Sequence, residues 1–402
     1  MKNILKPIPL SKIRQFLTLL LLLLAGINVF DKYYYLVFAA ILLNVLLLEK
    51  ANLDFDSLLL FVLACAWLIF APSTNMRIAD LIRPFLYMGS YLIGRNFFKY
   101  NSSYDCIKQG ENVTKIIVLI SFGPFIHYVL NMFQNGVFES SMREDIIDIW
   151  TKDILSATNQ AAMACMALGV CLSVLFMDIK FRYKVVSLAL LIVILLYNLT
   201  LAGRTIFLMA IIVFVASAVY LIAKGNVNSK RIKILILISF AILLCYLLFQ
   251  SNFLNVRDLV LRSNFYQRFY GDFAGDISED SRLERKVLYI QHFESSILGG
   301  NHNRSKYGHA HDIVLDTYDE AGIFALIAIT WFLLRMIKNG YLFLKNKSHP
   351  FQTKQVVLAL YIALYAEFFV EPILQGVPWL FTLFCFIGGL IKSSNNASKA
   401  MR

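Results

Sequence analysis

The chain has 402 residues, 58% of them hydrophobic and only 16% charged, with a mean hydropathy of +0.64. That balance excludes a soluble globular domain and leaves a protein built mostly of membrane spans. The formal net charge of +12 needs no nucleic-acid partner, because it follows from basic residues in short loops facing anionic headgroups.

A bilayer core of about 30 Å takes roughly 20 apolar residues per helix, with ~17 at the low end. Runs meeting or approaching that length lie at 14–30, 33–48, 57–72, 80–98, 116–133, 154–176, 185–202, 205–223, 234–250, 321–344, 355–370 and 376–392. Twelve spans are therefore expected, the second and third being short. The first run resembles a secretory signal peptide, but it continues into a second span without a small-residue cleavage site and is read as a retained helix. Lys and Arg in short loops stay in the cytoplasm. Lys2, Lys6, Lys12 and Arg14 therefore put the N-terminus inside, and twelve spans bring Lys392, Lys399 and Arg402 inside as well. The other inner loops carry basic clusters, whereas the short outer loops hold only Lys32, Arg77, Arg143, Lys152 and Arg204.

The expected fold is an all-α, polytopic membrane helix bundle in three parts. Residues 1–250 form spans one to nine with short loops, 251–320 form one large external loop with short helices, and 321–402 form spans ten to twelve and a cytoplasmic tail. All six cysteines lie outside the long loop, five within spans, with no disulfide framework or zinc spacing.

Taken in chain order, the first unusual charges are Arg77 and Arg83, the latter beside Pro84 at the start of span four. Arg204 follows, in the turn Leu199-Thr200-Leu201-Ala202-Gly203-Arg204-Thr205 between two apolar runs. A charge at that depth is costly and marks either function or a snorkelling anchor. The 251–320 loop is acidic overall, with 8 Lys+Arg against 11 Asp+Glu, yet six of its eight cations are Arg. Arg offers a planar fork that grips phosphate or carboxylate, which hints at a binding surface.

Within that loop, Ser281 and Glu284 have capping-box spacing, and a helix is expected from Ser281 to Leu298, ended by Gly299-Gly300. Leu283, Val287, Ile290 and Ile297 form an apolar stripe at helical spacing. Arg282, Arg285, Lys286, Tyr289 and His292 share the polar side. Such a helix lies on the membrane surface or on the bundle, its cations turned to a cleft or simply solvated. Tyr266, Tyr270, Tyr289 and Tyr307 are either sugar-stacking rings or ordinary aromatics.

Four of the six histidines (His292, His302, His309 and His311) also fall in this loop. His311 stands where the loop becomes span ten, and a histidine there can take a proton from a hydroxyl near neutral pH. Asp312 fits equally a helix N-terminal charge that favours the dipole. His309 and His311 lack the third ligand that a metal site needs, so no metal or other cofactor is expected. Glu371, before Pro372 at the outer end of span eleven, adds an acid on the same face.

These features in this order resemble the O-antigen polymerase and ligase family of bacterial envelope glycan assembly. The resemblance is carried by the Gly203-Arg204-Thr205 turn, then Asp280-Ser281-Arg282, then Gly308-His309-Ala310-His311-Asp312 and Glu320-Ala321-Gly322, over about residues 185–392. The first half matches only in helix count and hydropathy. The resemblance implies a GT-C-like bundle in the bacterial inner membrane, with both termini cytoplasmic and the long loop periplasmic. It implies a metal-independent, inverting glycosyltransferase joining undecaprenyl-diphosphate-linked oligosaccharide repeat units into O-antigen or capsular polysaccharide. Arg204 and Arg282 would hold the diphosphate, and His311 would act on the acceptor hydroxyl as base or position it. Arg285, His309, Asp312, Arg77, Arg83 and Glu371 would complete the substrate-binding set. Membrane lipid, a chain-length regulator and a flippase would be its partners. The chain departs from the family at Asp312, where Asn is usual, and neither sizeable outer loop (about 134–153 and 251–320) carries the paired Arg-(ten residues)-Gly motifs described for some polymerases.

Within the same chemistry, a ligase would instead move finished glycan onto lipid A–core. From another class, a secondary transporter fits twelve spans, but the two halves show no similarity and mid-span charges are few. A non-catalytic scaffold would leave Arg204, Arg282 and His311 without a purpose.

Overall fold

The computed structural model describes residues 10–47, 53–71, 78–98, 106–136, 146–201, 203–224 and 281–400, with isolated positions between 247 and 266. The chain is an all-α membrane protein. Its helices are α1 (Leu10–Ile27), α2 (Tyr33–Leu47), α3 (Phe55–Phe70), α4 (Ile78–Asn96), α5 (Cys106–Gln134), α6 (Ala157–Leu175), α7 (Phe181–Thr200) and α8 (Arg204–Lys224). After the gap come α9 (Ser281–Gln291), α10 (His302–Tyr307), α11 (Ile313–Lys345), α12 (Phe351–Phe368), α13 (Ile373–Gly376) and α14 (Pro378–Ala400).

Six helices are long and apolar enough to cross a membrane: α1, the Gly110–Gln134 part of α5, α6, α7, α8 and α11. Two shorter apolar helices, Tyr33–Val45 and Phe55–Phe70, coincide with the expected second and third spans. The helices α4, α12 and α14 coincide with three more expected segments. The expected ninth, 234–250, lies almost wholly outside the described residues.

The centre of the bundle is α6, buried on nearly every side. Its Ala161, Ala162, Ala164, Ala167 and Gly169 are small enough for α5, α7, α8 and α12 to pack closely round it. By contrast, α7 and α8 keep broad apolar faces exposed, including Leu188, Ile192, Leu208 and Ile211, as lipid-facing helices do.

Charged residues collect at the two ends. At the end where α3 begins, Asp54 caps that helix through the Ser57 amide at 3.0 Å and meets Arg95 at 3.3 Å and Lys392 at 2.8 Å. The neighbouring Asp56, fully buried, binds Arg335, Lys392, the Tyr91 hydroxyl and Asn339. Four helices (α3, α4, α11 and α14) are thus tied through two carboxylates. His349, in the α11–α12 turn at this end, stacks on Phe343 at 4.1 Å. Burial, with the charge of Lys354, pushes its pKa down to about 4.

At the opposite end a small hairpin, Ile146–Ile147 paired with Ile154–Leu155, is the one strand pair among the described residues. Asn135 accepts from the Ile147 amide at 2.8 Å and Asn131 from the Ile149 amide at 2.9 Å, pinning the hairpin to α5. Asp148 meets His127 Nε2 at 2.8 Å. Burial works against Asp148 ionising, but His127 and the Thr151 and Trp150 amides outweigh it and hold the carboxyl at about 2.

Candidate functional site

The end bearing the hairpin also carries α9, α10 and the start of α11, and their geometry follows from two interruptions. The expected Ser281–Leu298 helix stops at Gln291; a 3-10 turn, Phe293–Ser296, follows. The segment after it runs beside α11, with Gly300 N donating to Glu320 O at 3.3 Å, Asn301 N to Asp319 O at 2.8 Å and Ile323 N to Ile297 O at 2.9 Å. To admit this strand-like crossing, α11 breaks at Gly322 (φ 78, ψ −171). That conformation is open in effect only to glycine. A Cβ at Gly322 would lie 2.7 Å from the Ile297 carbonyl oxygen, and one at Gly299 would lie 2.6 Å from that of Glu320.

Buried carboxylates at the start of α11 organise what precedes it. Asp319 accepts from the backbone amides of Asn303 at 2.9 Å and Arg304 at 2.8 Å, fixing the first turn of α10. Asp316 accepts from the amides of Ala310 at 2.8 Å and Asp312 at 3.1 Å. Asp312 in turn is the N-cap of α11, accepting from Val314 N and Leu315 N. Between these anchored amides sits His311 at φ 56, in the left-handed region that non-glycine residues rarely take. The chain around His311 is therefore held from both sides, and the strain of order 1–3 kcal/mol is imposed by its surroundings.

The result is a cluster centred on Glu371, a residue 1% exposed in the turn after α12. Arg282 Nη2 meets Glu371 Oε1 at 3.0 Å, and the Thr205 hydroxyl donates to the same oxygen at 3.2 Å. Arg282 Nη1 also reaches Thr205 Oγ1 at 3.4 Å. The second oxygen, Oε2, faces His311 Nδ1 at 3.6 Å. On its other side His311 Nε2 meets Arg285 Nη1 at 3.3 Å. An Arg N–H can only donate, so Nε2 must accept and the ring proton sits on Nδ1, toward the carboxylate. Arg204, half-buried, is the first residue of α8 and the neighbour of Thr205. Residues from α8, α9, the α10–α11 loop and the turn after α12, up to 166 positions apart in sequence, thus meet at one point.

Of the residues singled out in the sequence, the structure brings Arg282, Arg285, His311 and Glu371 into contact, and Arg204 precedes their partner Thr205 in the chain. Asp312 is near but engaged, capping α11 and meeting Lys286 at 3.3 Å. His309 lies 3.8 Å from Asp316 rather than against Glu371. Arg83 is elsewhere on this end, donating to the Leu374 carbonyl of α13 at 2.7 Å. Arg77 and Tyr270 lie outside the described residues. Tyr289 is buried and donates to the Gly308 carbonyl at 2.7 Å, and Tyr307 stacks on His292 at 5.5 Å, so both rings already have protein partners.

Three residues of the cluster had been given no role. Thr205 and Asp316 act through hydrogen bonds that no spacing announces. Glu367 lies one helical turn before Glu371, fully buried, and neither of its carboxylate oxygens has a hydrogen-bond partner among the described residues. A glutamate inside an apolar span, four residues before another, was a legible signal, since intramembrane carboxylates are costly and mark functional positions.

No protein family matches this chain, and no curated protein matches it.

Proposed function

We propose that the protein is a membrane glycosyltransferase that polymerises polyprenyl-diphosphate-linked oligosaccharides on the extracytoplasmic side of a bacterial inner membrane. The observation that carries this reading is the meeting of Arg282, Arg285 and His311 around the buried Glu371. In this reading twelve spans form a GT-C-like bundle, residues 251–320 are periplasmic and both termini are cytoplasmic.

The chemistry asks little of the protein beyond placement and charge. The donor already carries a good leaving group, so cations on the diphosphate and one oriented acceptor hydroxyl suffice. Arg282 and Arg204 take the diphosphate, and no metal is needed. As Arg285 moves to the phosphates, His311 Nε2 is freed and its lone pair accepts the hydroxyl proton. The acceptor oxygen bonds to the anomeric carbon as the bond from that carbon to the diphosphate oxygen breaks, and the electron pair leaves with the polyprenyl diphosphate. One displacement inverts the anomeric centre. Glu371 holds the His311 tautomer and stabilises the imidazolium that forms. Its 3.6 Å separation from Nδ1 is of the kind that tightens when substrate binds. Transfer to lipid A–core instead of to another repeat unit would use the same groups.

The test is complementation of a strain lacking the gene with Arg204→Ala, Arg282→Ala and His311→Ala, reading surface glycan as a ladder. Single repeat units in place of the ladder at equal expression support polymerisation. A normal ladder from all three variants ends the assignment of the site.

A further inference from the structure

At roughly 100° per residue, the side chains of α9 divide into three sectors, where a helix packed on a bundle in water needs two. Arg282, Arg285, Lys286 and Tyr289 share one sector, and each reaches the bundle: Glu371, His311, the Phe369 carbonyl and the Gly308 carbonyl. About a third of a turn round lie Leu283, Val287 and Ile290, between 43% and 67% exposed. Beyond them Glu284 and Gln291 form a third, polar and exposed sector. Protein on one side, water on another and an uncovered apolar strip between them is the surface of a helix lying in the plane of a bilayer interface.

The height of α9 supports the same occupant. Ile297, in the turn after α9, pairs with Ile323 of α11. From that level Phe324, Ile327, Trp331 and Leu334 run down α11 as one stripe, each 52–56% exposed. They lie on a helix long and apolar enough to cross a membrane, so the stripe faces lipid. Ile297 and Leu298, at the level where that stripe begins, are also exposed apolar residues.

We propose that α9 and its following turn are seated in the membrane interface, with Leu283, Val287 and Ile290 among the acyl chains of the leaflet at this end. The sector that faces the bundle then holds the guanidinium groups of Arg282 and Arg285 at the depth of lipid phosphates. A lipid-linked headgroup reaches them by sideways diffusion, without leaving the bilayer. The seating does not rest on glycosyl transfer and stands or falls separately from it.

The experiment places a bimane fluorophore on Glu284→Cys, Val287→Cys or Ile290→Cys, with the unsubstituted chain labelled in parallel as baseline. The full-length protein is held in phosphatidylcholine nanodiscs. All three positions are exposed, so the label disturbs no packed core. Two quenchers are compared: aqueous iodide and phosphatidylcholine carrying a nitroxide near the headgroup. The expected result is that the labels at 287 and 290 lose most of their fluorescence to the nitroxide lipid and little to iodide, with the reverse at 284. Iodide quenching of all three alike would place the helix in water and overturn the proposal. If neither quencher reaches 287 and 290, another part of the chain or a second copy covers that sector, and the proposal is equally overturned.

Discussion

Replacing Asp316 by asparagine changes one oxygen to a nitrogen and tests whether the loop that presents His311 is held as described. The carboxylate accepts from the amides of Ala310 and Asp312 and is only 3% exposed, so water has little room to substitute. Each bond to a charged acceptor contributes about 1.5–3 kcal/mol. Asparagine keeps one acceptor and turns its own NH2 toward the other amide, leaving a buried donor unpaired. The expected local loss is about 2–4 kcal/mol. The strain at His311, of order 1–3 kcal/mol, is then no longer opposed, and the loop relaxes. At about 1.4 kcal/mol per tenfold, hydrogen exchange at the Ala310 and Asp312 amides should quicken roughly 30- to 700-fold. If His311 is the general base proposed above, turnover should fall toward that of His311→Ala, a loss of ~10²–10⁴-fold. Unchanged exchange at these amides together with full turnover would refute the reasoning.

Three further outcomes are expected. Gly322→Ala forces a Cβ against the Ile297 carbonyl in a backbone conformation that alanine avoids, costing about 3 kcal/mol or more; thermal unfolding in detergent should show a markedly lower midpoint, and an unchanged one would mean the crossing at residues 297–301 is not as described. Asp56→Ala leaves Arg335 and Lys392 without their shared carboxylate inside the bundle and should cost about 3–5 kcal/mol, seen in the same assay as a lower midpoint with no selective loss of turnover in the surviving folded protein. His349, with its pKa lowered to about 4 from 6.5, stays neutral in the folded state where the unfolded chain binds a proton. Stability from this residue is therefore fully present above about pH 6.5 and is lost as the pH falls toward 4, so His349→Gln should flatten the midpoint-against-pH curve in that window, and superimposable curves would contradict the assignment.

Much of the fold was legible because apolar run length is a strong signal. Eleven of the twelve expected segments coincide with described helices. A helix does cover Ser281–Gln291, in the segment where the apolar stripe and the Ser281–Glu284 spacing called for one. Its end was misjudged because Ile297 continued the apolar periodicity, whereas the chain leaves the helix after Gln291 to pair with α11 across two glycines. Nothing within residues 281–300 announces that partner. The same limit applies to the site. Arg282, His311 and Glu371 stood out by residue type and position, but the role of Glu371 as their common partner depends on three distant segments meeting. Arg83 and His309 drew notice on the same grounds and proved to have other partners. Asp316 had been given no role because its work is done on backbone amides, which carry no signature in sequence.

The most direct test of the account is turnover by the purified protein, in nanodiscs, of a synthetic polyprenyl-diphosphate-linked repeat unit without added metal. The account expects longer glycan joined with inverted anomeric configuration, one polyprenyl diphosphate released per bond formed, and near-complete loss in both Arg282→Ala and His311→Ala. Retained configuration, or equal turnover by the unsubstituted chain and both variants, would contradict it.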